Sequence, residues 1–104
     1  MKSPYARLKI PKRVRLLGID WVIKKVPLDE MPSDDWAMVL WREQEIYISS
    51  DYPPERMTLL LTHEIAHLLI DAMGIAPPES EHLAERLERP LASLLSENLW
   101  KHTC

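Results

Sequence analysis

The chain is organised around Thr62-His63-Glu64-Ile65-Ala66-His67, which reads H-E-x-x-H inside an apolar run from Met57 to Ile70. If that run is helical, His63 and His67 lie one turn apart on the same face, so both imidazoles can reach one metal ion. Glu64 lies beside them and suits the role of a general base acting on a water at the metal. A metal-free histidine pair is the alternative, but burying these polar groups without partners would cost several kcal/mol.

The composition is that of one small soluble domain. The 104 residues are 46% hydrophobic and 28% charged, so we interpret residues 1–104 as a single domain with one modest core. No apolar stretch is long enough to span a membrane, and the basic start of the chain, broken by Pro4 and Pro11, lacks the apolar core of a signal peptide. The single cysteine, Cys104, excludes an internal disulfide. These features predict a cytoplasmic protein without a membrane partner.

Positive charge is concentrated at the start of the chain. The net charge is −3, yet residues 1–25 hold eight basic side chains and one acid. A basic segment can bind nucleic acid, but no interleaved aromatic residues and no known nucleic-acid motif accompany these charges. We therefore predict an irregular basic N-terminal arm over residues 1–12 and a solvated hairpin face after it, with nucleic acid as a disfavoured partner.

The N-terminal half is predicted to form a small antiparallel β-sheet of three or four strands. Val14–Leu17 and Trp21–Val26 are β-rich runs on either side of Gly18-Ile19-Asp20, which is typical of a hairpin. Residues 27–35 contain two prolines and four acids and therefore predict a loop. Trp36–Trp41 and the alternating Glu45–Ser49 then favour a second hairpin.

Two helices are predicted to follow the sheet. The first runs from about Pro54, which suits the first helical position, to Met73, and Gly74 terminates it. It is apolar nearly all round, so we expect it in the core. The second begins after Pro77-Pro78, and Pro90 should kink it. Its inward apolar positions are predicted to be Leu83, Ala84, Leu87, Leu91, Leu94, Leu95 and Leu99.

A catalytic zinc site needs a third protein ligand and one position left for water. The metzincin pattern would require glycine at position 70 and histidine at position 73, where this chain has Ile70 and Met73. The ordinary alternative is two histidines and one glutamate, with the glutamate supplied by the last helix. The candidates there are Glu79, Glu81, His82 and Glu85, with Glu88 another turn on.

Asp71 and the remaining polar and aromatic residues have less specific roles. Asp71 lies four residues after His67, and it either hydrogen-bonds a ligand histidine or is simply exposed. Tyr47, Tyr52 and His82 are candidates for stabilising an oxyanion, whereas His102 is interpreted as a tail residue. The four tryptophans are interpreted as core or rim aromatics; they are Trp21, Trp36, Trp41 and Trp100.

Three segments together carry a resemblance to a known family. They are the strand Ile46-Tyr47-Ile48-Ser49, the segment Leu60-Leu61-Thr62-His63-Glu64-Ile65-Ala66-His67, and the pattern Glu81-x-x-Ala84-x-x-Leu87-x-x-x-Leu91 followed by Asn98. They resemble the short phage and prophage members of the ImmA/IrrE-type metallo-endopeptidases, a gluzincin-like group. Ile10-Pro11-Lys12-x-Val14 and Gly18-Ile19-Asp20-Trp21 add a looser similarity, while the Glu-Ala-Asn-x-Phe-Ala stretch of the longer members is absent. The resemblance implies Glu81 as the third ligand, with Glu85 and then His82 as alternatives.

The sequence and the resemblance together predict a zincin-like α+β domain acting as a zinc metallo-endopeptidase. One Zn²⁺ per chain would be held by His63, His67 and Glu81. Glu64 would take a proton from water and pass it to the leaving amine. The substrate peptide would add as a strand to a sheet edge at Trp36–Trp41 or Ile46–Ser49.

Three alternatives stay open. The first is a metal-binding regulatory or adaptor phage protein with little peptidase activity. The second is a nucleic-acid-associated protein resembling the SprT-like group, which pairs H-E-x-x-H with DNA and would show steeply salt-dependent DNA binding. The third is a structural phage protein in which His63 and His67 are core residues.

Overall fold

The computed structural model describes residues 10–98, which form a four-stranded sheet followed by two helices. The strands are β1 (Arg13–Leu16), β2 (Ile19–Val26), β3 (Ala37–Leu40) and β4 (Glu45–Ser49), and the helices are α1 (Pro54–Ala72) and α2 (Glu79–Asn98). The predicted α+β class is therefore confirmed. Most of the predicted basic arm lies outside the described residues, as do Leu99, Trp100, His102 and Cys104.

The sheet is mixed, so the prediction of an antiparallel sheet is wrong for its central pair. The strand order is β1-β2-β4-β3, with the two predicted hairpins at the edges and β2 parallel to β4 in the centre. Local turn signals identify each hairpin but do not specify how two hairpins dock. The parallel register sets Ile23 beside Ile46, which places both buried side chains on the same face of the sheet.

The first hairpin turns one residue earlier than predicted. Leu17 and Gly18 form a two-residue connection with φ values of 57° and 75°, and Ile19 and Asp20 already belong to β2. Positive φ at both central residues is the geometry that matches the twist of a tight hairpin. The predicted loop between the hairpins is confirmed, and it contains one 3-10 turn, Leu28–Glu30.

Helix α1 covers one face of the sheet and lies within one residue of its predicted bounds. Ile46 and Ile48 of β4 are fully buried in the same cluster as Leu61 and Leu68 of α1. Two threonines share the buried side of the helix: the Thr58 hydroxyl donates to the Pro54 carbonyl at 2.9 Å, and Thr62 donates to Thr58 at 2.8 Å. Their hydroxyls are satisfied within the helix, so their burial leaves no unpaired polar group.

Helix α2 packs on α1 along a narrow seam. Ala84 and Ala92 are fully buried, and Ala84 contacts Ala66 and Ile70 of α1. The prediction that Leu87 and Leu94 face inward is wrong, because both are exposed. An α-helix that packs against one neighbour buries a narrower stripe than the full apolar pattern suggests. The helix continues through Pro90, and the kink there stays a prediction. Within residues 10–98, neither helix combines the length and hydropathy needed to cross a membrane.

Candidate metal centre

The two histidines of the central motif lie side by side on α1. Their ring centroids are 4.9 Å apart, as expected for residues one turn apart on a helix. The side chains of His63 and His67 are 18% and 20% exposed, so both are sheltered yet reachable from solvent. The burial of Leu61 and Leu68 against the sheet sets the rotation of α1 and directs the histidines toward α2.

A single carboxylate of α2 contacts both histidines. Glu81 Oε1 is 3.0 Å from His63 Nε2, and Glu81 Oε2 is 2.8 Å from His67 Nε2. One ligand atom from each of the three residues lies within 4.8 Å of the others, so the group could hold a metal ion. The competing candidates Glu85 and His82 are exposed and are not part of this group.

Glu64 lies next to these three residues, and its environment favours proton uptake. Burial raises the pKa of Glu64 above its usual value; the charges of His63 and His67 oppose that shift, whereas Glu81 and Asp35 add to it. A carboxylate with a raised pKa is a stronger base than an exposed one. The arrangement can therefore accept a proton from a water bound beside the histidines.

His63 also contacts a second glutamate of α2, which the sequence reasoning did not assign. Glu88 Oε2 lies 3.1 Å from His63 Nδ1. Burial alone would lower the pKa of His63, but the hydrogen bond to Glu88 and the charges of Glu64 and Glu81 outweigh it and raise that pKa. Glu88 is seven residues after Glu81, and residues seven apart share a helix face. That spacing could have predicted that Glu88 also faces the histidines.

Of the two roles considered for Asp71, that of an exposed aspartate is confirmed. It is exposed, and within residues 10–98 its carboxylate makes no hydrogen bond to either histidine. Its main-chain carbonyl instead accepts a hydrogen bond from Gly74 at the end of α1. The hydrogen-bonded contact that was considered for Asp71 is made by Glu88, on the other helix.

An open cavity of about 470 Å³ lies between the three candidate ligands and β3. Ala37, Met38 and Val39 form its wall on the strand side, and a second cavity of about 430 Å³ adjoins it near Trp36. Glu64 lines both cavities, so it faces space that a substrate can enter. The proposed oxyanion stabilisers Tyr47, Tyr52 and His82 line neither cavity.

Only one of the two predicted peptide-binding edges is an edge. Strand β4 is paired on both sides, so the prediction that Ile46–Ser49 accepts a peptide is wrong. Strand β3 is an edge, and the carbonyl of Trp36, the residue before it, accepts a hydrogen bond from the Ser49 N–H at 2.8 Å. Because antiparallel pairing alternates, the N–H and C=O groups of Ala37 and Val39 point away from β4 toward the open side.

Comparisons of the chain with models of known families, with curated proteins and with solved structures give no significant match.

Proposed function

We propose that this chain is a zinc-dependent metallopeptidase of the zincin type, with His63, His67 and Glu81 as the metal ligands and Glu64 as the general base. The observation that carries the proposal is the convergence of two histidine Nε2 atoms on one carboxylate, beside a buried glutamate and an open cavity. Two imidazoles and one carboxylate form a ligand set that suits zinc and leaves a position for water. The resemblance to ImmA/IrrE-type peptidases points the same way and stays a prediction.

Each part of the proposed site has a separate role in peptide hydrolysis. A bound ion would supply Lewis-acid chemistry, lowering the pKa of a water and polarising the scissile carbonyl. Glu64 would accept a proton from the attacking water and deliver it to the leaving amine, a role that its raised pKa favours. The substrate backbone lies along β3 and pairs with the outward-facing groups of Ala37 and Val39.

The first test measures metal content and peptide hydrolysis together. Protein purified without added metal should contain about one zinc per chain, and His63→Ala and Glu81→Ala should lose it. Glu64→Gln should keep the zinc and lose hydrolysis of a mixed peptide library by at least about a hundredfold, because the proton acceptor is removed. Glu55→Gln is the matched control, since it makes the same change in the exposed first turn of α1.

Each outcome has a distinct meaning. Full hydrolysis by Glu64→Gln would exclude Glu64 as the base. Zinc binding without hydrolysis of any peptide by the unaltered chain would support the metal-binding regulatory protein instead. A chain that takes up no zinc even when zinc is added would show that His63, His67 and Glu81 serve only to join the two helices.

A further inference from the structure

We infer that Glu88 is a positioning residue for the candidate metal centre: its carboxylate accepts the Nδ1–H of His63 and thereby commits Nε2 of the same ring to the metal. The inference rests on the proposed function, because it concerns a ligand of that site. It assigns to Glu88 a role that neither the H-E-x-x-H motif nor the downstream pattern contains.

Both ring nitrogens of His63 lie beside a carboxylate of α2. His63 Nδ1 lies 3.1 Å from Glu88 Oε2, and His63 Nε2 lies 3.0 Å from Glu81 Oε1. A neutral imidazole carries one N–H donor and one acceptor nitrogen, so a carboxylate at Nδ1 selects the tautomer that is protonated there. The lone pair of Nε2 then faces Glu81 and His67, where an ion would bind.

Glu88 is held by helix packing and is not a loose surface charge. At about 100° per residue, Glu88 lies about 20° from Glu81 around the helix, and Glu85 lies about 40° away on the other side. Ala84 and Leu91 lie on the same seam as Glu81 and Glu88, at alternating spacings of three and four. Ala84 is fully buried against α1, and its small side chain lets the helices approach closely. The side chain of Glu88 is accordingly only 28% exposed.

Direct coordination by Glu88 fits the geometry less well. His67 Nε2 contacts Glu81 at 2.8 Å, and the residues whose ligand atoms converge are His63, His67 and Glu81. Glu88 meets His63 on the opposite edge of the imidazole. It therefore acts through His63, which it orients and makes a better electron donor, and does not itself complete the ligand set.

The test compares zinc affinity, measured by competition with a coloured chelator, across substitutions at two glutamates of α2. Glu88→Ala should weaken zinc binding by about tenfold to a hundredfold, the range usual for such partners of ligand histidines. The zinc affinity of Glu88→Gln should lie between those of Glu88→Ala and the unaltered chain, because the glutamine amide oxygen still accepts a hydrogen bond from His63 Nδ1–H. Glu85→Ala is the matched control on the exposed side of α2, and it should change the affinity by less than about twofold.

Imidazole ¹⁵N NMR of the zinc-loaded chain separates positioning from a purely structural role. The unaltered protein should show His63 protonated at Nδ1 and metal-bound at Nε2, and Glu88→Ala should lose the slowly exchanging Nδ1–H. If the role of Glu88 were purely structural, Glu88→Ala would lower the thermal midpoint of the metal-free chain but leave the zinc affinity and the ¹⁵N signals unchanged. That result would overturn the inference. Glu88→Gln has nearly the same shape as the native residue, so it provides the comparison if Glu88→Ala does not fold.

The outcomes distinguish this inference from the proposal beneath it. Zinc binding that is equal in the unaltered chain, Glu88→Ala and Glu85→Ala overturns the role of Glu88 alone. Absence of zinc binding in the unaltered chain overturns the metal centre, and the positioning role falls with it.

Discussion

Leu17 adopts a backbone conformation that leucine disfavours. Its φ is 57°, in the left-handed region, and it precedes Gly18, whose φ is 75°. The conformation costs most non-glycine residues about 1–2 kcal/mol, because it brings Cβ too close to the following carbonyl oxygen. Leu17 is 51% exposed, so burial recovers little of that cost.

We therefore expect Leu17→Asn to stabilise the chain by about 0.5–1 kcal/mol, because Asn-Gly is the favoured pair for this type of turn. Urea unfolding of the metal-free protein is the measurement. Gly18→Ala provides the opposite control and should destabilise the chain by about 1 kcal/mol, because alanine disfavours a positive φ. A Cβ at this position would meet no atom within 4 Å, so a steric clash adds nothing to that cost. A lower midpoint for Leu17→Asn would show that the leucine side chain contributes more than its backbone costs.

The residues of the site differ in how far the sequence could predict them. His63, Glu64 and His67 belong to one helix, so their spacing alone predicts that their side chains lie close together. The third ligand depends on how α2 docks on α1, and Glu81, Glu85 and His82 are close enough in sequence that spacing left them as alternatives. The family resemblance favoured Glu81, and the structure brings Glu81 to both histidines.

At the scale of elements, helix and hairpin bounds were predictable and strand order was not. Pro54 and Gly74 mark the limits of α1 through local backbone preferences, which act within a few residues. The parallel pairing of β2 with β4 joins segments that are distant in the sequence, and no local signal encodes it. That pairing determines which strand lies at the edge beside the cavity.

The edge position of β3 leads to a prediction about substrate binding. The N–H of Ala37 points away from β4, so Ala37→Pro should leave the sheet paired while removing one hydrogen bond to a substrate backbone. We expect kcat/KM for a peptide substrate to fall by about tenfold, with zinc content unchanged. Ala37→Ser keeps the N–H and should retain activity within about twofold. Equal activity of both variants would argue that substrates do not pair with this strand.

The candidate ligands would couple a bound metal to the stability of the whole molecule. His63 and His67 come from α1 and Glu81 comes from α2, so the complete site exists only when the two helices are packed together. A ligand that binds only the folded state stabilises it, by about 2.7 kcal/mol when its free concentration is a hundred times Kd.

Zinc should therefore raise the thermal midpoint, and a chelator should reverse the effect. His67→Ala should abolish the difference between zinc and chelator, because it removes a ligand. His82→Ala should preserve it, because His82 is an exposed histidine on α2 outside the group. Scanning calorimetry of the three proteins, each with zinc and with chelator, makes the comparison. Loss of the zinc effect in His82→Ala would place the ion elsewhere.

The mixed sheet also has a consequence for the order in which the protein folds. Each hairpin closes over a short turn, and β-hairpins form within about 1–10 μs. The central pair of strands must bring distant segments together, and its buried face is covered only when α1 has docked. Glu81 follows both histidines in the sequence, so the three candidate ligands come together only once α2 has packed on α1.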